Sequence, residues 1–184
     1  MIVTPTELPG VIVLQPKVFG DARGFFFENW NEARYAAAGV PIRFVQDNVS
    51  SSARGVLRGL HIQHPGAQGK LVSVLQGEVF DVAVDVRRGS PFYMKWAAAT
   101  LSSDNRRQLY LPPGFAHGFQ VLSDTALFSY KCTDYYRPDT EATIAWNDPD
   151  FGIGWPLADP ILSEKDRCGL LLRDLPLDRQ PEYR

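Results

Sequence analysis

The chain has 184 residues, of which 19 are Lys or Arg and 21 are Asp or Glu, so its formal net charge is −2. This length suits one domain with a substantial core, and the balanced charge excludes the broad basic field that a nucleic-acid-binding protein needs. The two cysteines, Cys132 and Cys168, are too few and too far apart for a disulfide framework or a tetrahedral metal site.

The N-terminal sequence has no cationic leader followed by a sustained apolar run. No other stretch approaches the roughly 20 apolar residues that cross a membrane. We therefore expect a soluble, cytoplasmic protein that has neither a membrane nor a nucleic acid as its partner.

Glycine and proline punctuate the chain, with 15 and 14 residues between short runs rich in Val, Phe, Tyr and Leu. This pattern is typical of an all-β sandwich or barrel. We expect residues 1–184 to form a single all-β domain with a few short peripheral helices. A helical tail is expected from about residue 163.

The first third of the chain predicts one interrupted strand and one short helix. Residues 11–19, VIVLQPKVF, indicate a strand broken at Pro16, because proline cannot donate to a ladder. Asn31 is a suitable N-cap for a helix over NEARYAAA, and Gly39 followed by Pro41 predicts its end.

The middle of the chain predicts paired strands. Residues 70–75 precede the polar pair Gln76-Gly77, which suits a hairpin turn into the next strand. That strand, 79–86, alternates apolar residues with Asp81, Ala83 and Asp85, so we expect it to be half-buried.

Further strands are predicted over 95–102 and 107–112, followed by a turn in PPGFAHGF that returns His117 to a strand. The alternation in LFSYKCTDYY predicts another strand carrying Tyr130. The segment SEKDRCGLLLRDLP predicts a short closing helix capped by Ser163.

Two titratable side chains stand out in the stretch from residue 55 to 85. His61 can exchange a proton near neutral pH, and the ammonium of Lys70 can stabilise developing negative charge. Each residue also has a structural alternative. His61 could be a core imidazole bound to a backbone carbonyl, and Lys70 could be a solvated lysine at the end of a strand. A regular strand would turn Arg58 away from His61 unless a bulge at Gly59 intervenes.

Two later residues have both a structural and a catalytic interpretation. Tyr130 could be a core aromatic residue with its hydroxyl tied to a neighbour, or a general acid. The spacing Ser163-x-x-Asp166 approximates a capping box, and from the residues alone we favour that role for Asp166.

A metal site must also be considered, because jelly-roll barrels of the cupin type commonly bind a metal through two histidine motifs. Here the first motif is reduced to His61-x-Gln63 with Lys70 in place of a carboxylate, while PPGFAH preserves the second. Neutral glutamine is a weak ligand and an ammonium is none. We therefore expect no metal.

Several long motifs occur in a fixed order and spacing: DARGFFFE, QDNVSSSARGVLRGLHIQ, QGKLVSVLQGEVFDVAVDVR, LPPGFAHGF, YKCTDYYRP and ILSEKD. Together they closely resemble the dTDP-4-dehydrorhamnose 3,5-epimerase family, from about residue 2 to residue 172. The resemblance implies a cupin-like jelly-roll β-sandwich, a homodimer and no cofactor. It also implies epimerisation of dTDP-4-dehydro-6-deoxy-D-glucose, a dTDP-linked 4-keto-6-deoxyhexose, at C3 and C5 to give dTDP-4-dehydro-L-rhamnose.

The resemblance also implies roles for individual residues. His61 resembles the general base, Tyr130 the acid, Asp166 the partner of the histidine, and Lys70 the residue near the C4 oxygen. Tyr135 is a candidate for stacking on the base. The positions that match substrate-binding residues are Arg23, Glu28, Gln46, Asp47, Asn48, Arg58, His117, Glu141 and Lys165.

Three other functions compete with this one. Related enzymes epimerise only one carbon in antibiotic-sugar pathways, and the shared fold does not decide between one and two carbons. A metal-dependent cupin enzyme is the second alternative. A sugar-nucleotide binding module that has lost its chemistry is the third.

Overall fold

The computed structural model describes residues 1–40 and 43–183 of the chain. Its strands, in chain order, are β1 Ile2–Pro5, β2 Ile12–Gln15, β3 Val18–Asp21, β4 Gly24–Phe27, β5 Gln46–Ala53, β6 Leu57–Gln63, β7 Lys70–Gln76, β8 Glu78–Asp85, β9 Trp96–Ser102, β10 Gln108–Leu111, β11 Phe115–Val121, β12 Thr125–Cys132 and β13 Glu141–Thr143. The helices are α1 Glu32–Ala37, α2 Glu164–Arg167 and two 3₁₀ turns, Leu172–Asp174 and Leu177–Arg179.

The strands form two facing antiparallel sheets and a separate hairpin. The larger sheet has the order β1-β2-β10-β7-β12-β5, the smaller β13-β6-β11-β8-β9, and β3 pairs with β4. The main core lies between the sheets, where Val72 and Phe128 of the larger sheet share an apolar cluster with Phe115 and Phe119 of the smaller one. This architecture confirms the predicted all-β jelly-roll sandwich.

The helices are short and peripheral, as predicted. The Asn31 side chain accepts a hydrogen bond from the Arg34 backbone N–H at 3.1 Å, which confirms the N-cap of α1. Gly39 follows with φ +93°, and Pro41 lies outside the described residues. In the described part of the chain, no helix is long and apolar enough to span a membrane.

The strand break at Pro16 is confirmed, because β2 ends at Gln15 and β3 begins at Val18. The closing helix is shorter than predicted. It ends at Arg167, and Gly169 then packs against backbone so closely that an added Cβ would lie 3.0 Å from Ala145 N. The chain consequently leaves the helix and resumes as the first 3₁₀ turn.

The predicted hairpin between β7 and β8 is wrong. These strands belong to different sheets, because β7 pairs with β10 and β12 whereas β8 pairs with β11 and β9. Gly77, at φ +82°, directs the chain from one sheet to the other. A polar Gln-Gly pair marks a turn, but it does not determine which strands pair across it.

The prediction that β8 is half-buried is also wrong. Val82 and Val84 pack into an apolar cluster on the outer side of the smaller sheet. The opposite face points between the sheets, and both Asp81 and Asp85 are completely buried there. Asp81 binds His117 and Asp85 binds Arg87. The alternation of apolar and acidic residues along β8 therefore reflects polar networks inside the protein and not a solvated face.

Candidate active site

A bulge at Gly59 places Arg58 and His61 on the same side of their sheet. Along the β6–β11 pair, His61 lies opposite His117 and Arg58 opposite Phe119, so β6 contains one extra residue. Gly59 has φ +121°, and a Cβ there would lie 2.6 Å from the Gly118 Cα. Only glycine fits, and the bulge turns Arg58 inward.

A pocket of about 330 Å³ opens between the two sheets on this side. Its walls are mainly polar, with an apolar patch formed by two phenylalanines. The residues that line it are Gln46, Asn48, Ser50, Arg58, His61, Gln68, Lys70, His117, Phe119, Phe128, Tyr130, Tyr136, Glu141 and Lys165.

His61 is oriented by a buried carboxylate. Its Nε2 lies 2.6 Å from Oδ1 of Asp166, and the Ser163 hydroxyl donates to Oδ2 of the same carboxylate at 2.7 Å. The Asp166 backbone N–H donates to the Ser163 hydroxyl, so Asp166 belongs to the helix cap and to the histidine pair at once. Nδ1 of His61 is then the nitrogen left to exchange a proton.

The electrostatics favour a neutral imidazole. Burial lowers the pKa of His61, and the Asp166 carboxylate partly opposes that effect. The Asp166 carboxyl keeps a lowered pKa, because hydrogen bonds from His61 and Ser163 outweigh its burial. Near neutral pH the pair is an aspartate bound to an uncharged imidazole, which is the form a general base requires.

Tyr130 and Lys70 reach the pocket from the sheet opposite His61. They lie on the adjacent strands β12 and β7, with the Lys70 Nζ 5.9 Å from the centre of the Tyr130 ring. Burial raises the pKa of Tyr130, which keeps the phenol protonated. Burial lowers the pKa of Lys70, while Cys132 and Glu141 oppose the shift.

A second aspartate–histidine pair lies beside the first. The His117 Nε2 is 3.0 Å from both carboxylate oxygens of Asp81. Burial raises the pKa of Asp81, and His117 opposes this shift. Since His117 faces His61 across the β6–β11 ladder, two carboxylate-oriented imidazoles line one wall of the pocket.

The mouth of the pocket carries a hydrogen-bonded triad. Glu141 accepts from the Tyr136 hydroxyl at 2.9 Å and from the Lys165 ammonium at 2.9 Å. Burial alone would raise the pKa of Glu141, but these hydrogen bonds hold that pKa below its ordinary value. The triad fixes an aromatic ring and a cation at the entrance.

Comparison with known proteins agrees with this architecture. A sequence model of the dTDP-4-dehydrorhamnose 3,5-epimerase family matches residues 5–174. The dTDP-4-dehydrorhamnose 3,5-epimerase of Pseudomonas aeruginosa is 57% identical over 176 residues, which are 95% of this chain and 97% of the relative. The corresponding enzyme of Methanothermobacter thermautotrophicus is 52% identical over 175 residues, 94% of this chain and 95% of the relative.

The chain belongs to the dTDP-4-dehydrorhamnose 3,5-epimerase family. A solved relative supports the same assignment: the dTDP-6-deoxy-D-glucose-3,5-epimerase of Legionella pneumophila, crystallised in complex with dTDP-4-keto-L-rhamnose. It superposes with a TM-score of 0.97 at 50% identity, covering 100% of this chain and 98% of the relative.

The fold of this epimerase-family chain brings most of the predicted site residues together. Nine of them line the pocket, and Asp166 lies directly behind His61. The nine are Gln46, Asn48, Arg58, His61, Lys70, His117, Tyr130, Glu141 and Lys165.

Three predicted substrate-binding residues lie outside the pocket of their own chain. Asp47 points to the other side of β5, where it binds Lys131 at 2.8 Å. Arg23 lies at the tip of the β3–β4 hairpin and pairs with Asp21, and its side chain is 90% exposed. Glu28 follows that hairpin and pairs with Arg34. Strand alternation could have indicated the outward direction of Asp47.

Several residues at the site are missing from the sequence-based predictions: the pocket-lining Ser50, Gln68, Phe119, Phe128 and Tyr136, and the buried Asp81. Tyr136, not Tyr135, lines the pocket, while Tyr135 is 62% exposed. Asp81 was not predicted because the alternation of apolar and acidic residues over 79–86 suggested a solvated face. A carboxylate on such an apolar strand is also compatible with a buried hydrogen-bond network, and this was the available signal. Within residues 1–40 and 43–183, no group of three or more His, Cys, Asp or Glu side chains is arranged to bind a metal.

Proposed function

We propose that this protein inverts C3 and C5 of dTDP-4-dehydro-6-deoxy-D-glucose, giving dTDP-4-dehydro-L-rhamnose. The observation that carries the proposal is the convergence of three groups on one pocket between two sheets. A carboxylate-oriented imidazole lies on one sheet, and the Tyr130 phenol and the Lys70 amine lie on the other. Family membership supports the same reaction.

The chemistry follows from the C4 ketone, which acidifies the C–H bonds on both neighbouring carbons. We assign His61 as the base that removes the proton and Lys70 as the group that stabilises the enolate oxygen. Tyr130, on the facing sheet, would return a proton to the opposite side of the sugar. Once His61 has released its proton to solvent and Tyr130 has taken one up, the same groups can serve the second carbon, and neither step needs a redox carrier.

The nucleotide is assigned to the pocket mouth. Lys165 and Arg58 supply cations for a diphosphate that the balanced overall charge of the chain does not provide. The ring of Tyr136, held by Glu141, offers a face on which the thymine can stack. Gln46 and Asn48 add amide groups along the same wall.

The proposal is tested by incubating the protein with dTDP-4-dehydro-6-deoxy-D-glucose and assigning the product by proton NMR. We expect inversion at both carbons. A product inverted at one carbon would identify a mono-epimerase, and substrate returned unchanged with dTDP bound would identify a binding module.

Asp166→Asn tests the histidine pair through its pH profile. The carboxylate raises the pKa of His61 above the value that burial alone would set. Removing the charge should therefore lower that pKa further and move the acidic limb of kcat/KM to lower pH. We also expect kcat to fall by about 10- to 100-fold, because the imidazole loses the partner that fixes its tautomer.

Ser163→Ala is the matched control for Asp166→Asn, since it removes one hydrogen bond to the same carboxylate but leaves its charge. Its acidic limb should stay much closer to that of the wild type. An acidic limb that does not move in Asp166→Asn would show that Asp166 only caps the helix.

We propose that the protein is a homodimer. The β3–β4 hairpin exposes Phe25 by 60% and Phe26 by 69%, and the whole of β1 is an exposed edge strand. A second copy would cover these surfaces. It would also explain why Arg23 and Glu28 lie outside the pocket of their own chain, if the hairpin of one protomer contributes to its partner's pocket.

Sedimentation velocity at low micromolar concentration should show a dimer, and Phe26→Asp should shift it to the monomer. Leu177→Asp is the control, because Leu177 is similarly exposed, at 65%, and lies far from the hairpin in the sequence. A monomeric wild type, or a Phe26→Asp variant that stays dimeric, would contradict the proposed interface.

A further inference from the structure

One polar group on the pocket wall has no partner. The hydroxyl of Ser50 has less than 1 Å² accessible to solvent and makes no hydrogen bond within the described residues. Ser50 nevertheless lines the pocket. A buried hydroxyl without a partner is rare and calls for a functional explanation.

The neighbours of Ser50 on the same face of β5 are all engaged. The Gln46 amide donates to the Asn48 side chain at 3.1 Å, and Asn48 donates to the Cys132 sulfur at 3.7 Å. The Ser52 hydroxyl accepts from the Arg58 Nε at 3.1 Å. Ser50 is therefore the unsatisfied member of a polar row that faces the pocket.

The surroundings of Ser50 are those of the catalytic end of the pocket. Ser50 lies opposite Phe128 in the β5–β12 ladder, and Phe128 stacks on Phe119 at 4.1 Å. The Phe128 ring is also 5.9 Å from that of Tyr130 and 6.2 Å from that of His117. The Ser50 hydroxyl thus lies at the boundary between the polar row of β5 and an aromatic cluster next to the proposed acid.

This environment fits a sugar ring better than a diphosphate. A diphosphate requires cations; the Arg58 guanidinium on this wall is bound to Ser52 and not to Ser50, and the two phenyl rings beside Ser50 offer none. A hexose can place its C–H face on the rings and offer a hydroxyl to the unpartnered Ser50 hydroxyl beside them. In a 4-keto-6-deoxyhexose linked through C1, the free hydroxyls are those at C2 and C3.

We propose that Ser50 is a further substrate-binding residue, whose hydroxyl makes a hydrogen bond to a ring hydroxyl of the hexose. The inference rests on the proposed function and extends it to a residue outside the assigned set. Its consequence is that Ser50 contributes to recognition of the sugar and not of the nucleotide.

The test compares the intact substrate with dTDP. Ser50→Ala should lower kcat/KM for dTDP-4-dehydro-6-deoxy-D-glucose by about tenfold, the size expected for one lost hydrogen bond. The Kd of dTDP, measured by calorimetry, should stay within about twofold of the wild type, because dTDP lacks the hexose. Ser50→Cys keeps the side-chain length but donates weakly, and it should show a similar loss.

Ser51→Ala is the matched control, because Ser51 is the exposed neighbour on the other face of β5. It should leave both quantities unchanged. An unchanged kcat/KM in Ser50→Ala, or an equal loss of dTDP affinity, would overturn the inference. If the wild type forms no inverted product, it is the proposed function that fails.

Discussion

Replacing His61 with Asn is expected to lower kcat by about 10³-fold, because it removes the imidazole that we assign as the base of the proposed reaction. Asn retains a polar side chain and is smaller than His, so it obstructs nothing and dTDP should still bind. The measurement is the rate of product formation from dTDP-4-dehydro-6-deoxy-D-glucose, together with calorimetric titration of dTDP.

His64→Asn controls for a general effect of losing a histidine. His64 follows β6 but lies in a separate surface cleft, bounded by Arg87, Arg88 and Leu177. Its variant should keep wild-type activity. A His61→Asn variant within tenfold of the wild type would remove the proposed base.

Replacing Tyr130 with Phe should separate proton removal from inversion. His61 could still take a proton, exchange it with solvent and return it to the same face, but the phenol that we assign as the acid on the facing sheet would be gone. Inverted product should form about 10²- to 10³-fold more slowly. In D₂O, by contrast, deuterium should still enter the recovered substrate with its configuration retained.

Proton NMR of recovered substrate and product measures both outcomes in one experiment. Tyr110→Phe is the control, because Tyr110 is buried in a separate cluster with Leu14 and Tyr35. Inversion by Tyr130→Phe at the wild-type rate would show that another group delivers the proton.

The sequence predicted the secondary structure of this family member better than its strand pairing. Periodicity and turn residues located the break at Pro16, the cap at Asn31 and the strands carrying His117 and Tyr130. Pairing depends on contacts that are distant in sequence, so a Gln-Gly turn could not reveal that β7 and β8 belong to different sheets. The burial of Asp81 was missed for the same reason, because it depends on packing against the facing sheet, which the sequence of β8 alone does not show.

The candidate site was predictable to the extent that its residues lie on regular strands. Arg58 depended on a bulge, and the sequence offered Gly59 as its only sign. For Asp166 the sequence offered two competing roles, in a helix cap and as the partner of a histidine. The structure shows both contacts, because one carboxylate oxygen lies next to His61 and the other accepts from the cap residue Ser163. The positions of Arg23 and Glu28 outside the pocket could not be foreseen from a single chain, because side chains on an exposed hairpin carry no internal signal of what they contact.

The most direct test of the account is the pattern of deuterium in the product when the wild-type protein acts in D₂O. Removal of protons beside the C4 ketone, followed by return from the opposite face, predicts solvent-derived deuterium at both C3 and C5 of the inverted sugar. Inversion at either carbon with the original hydrogen fully retained would contradict proton exchange through His61 and Tyr130.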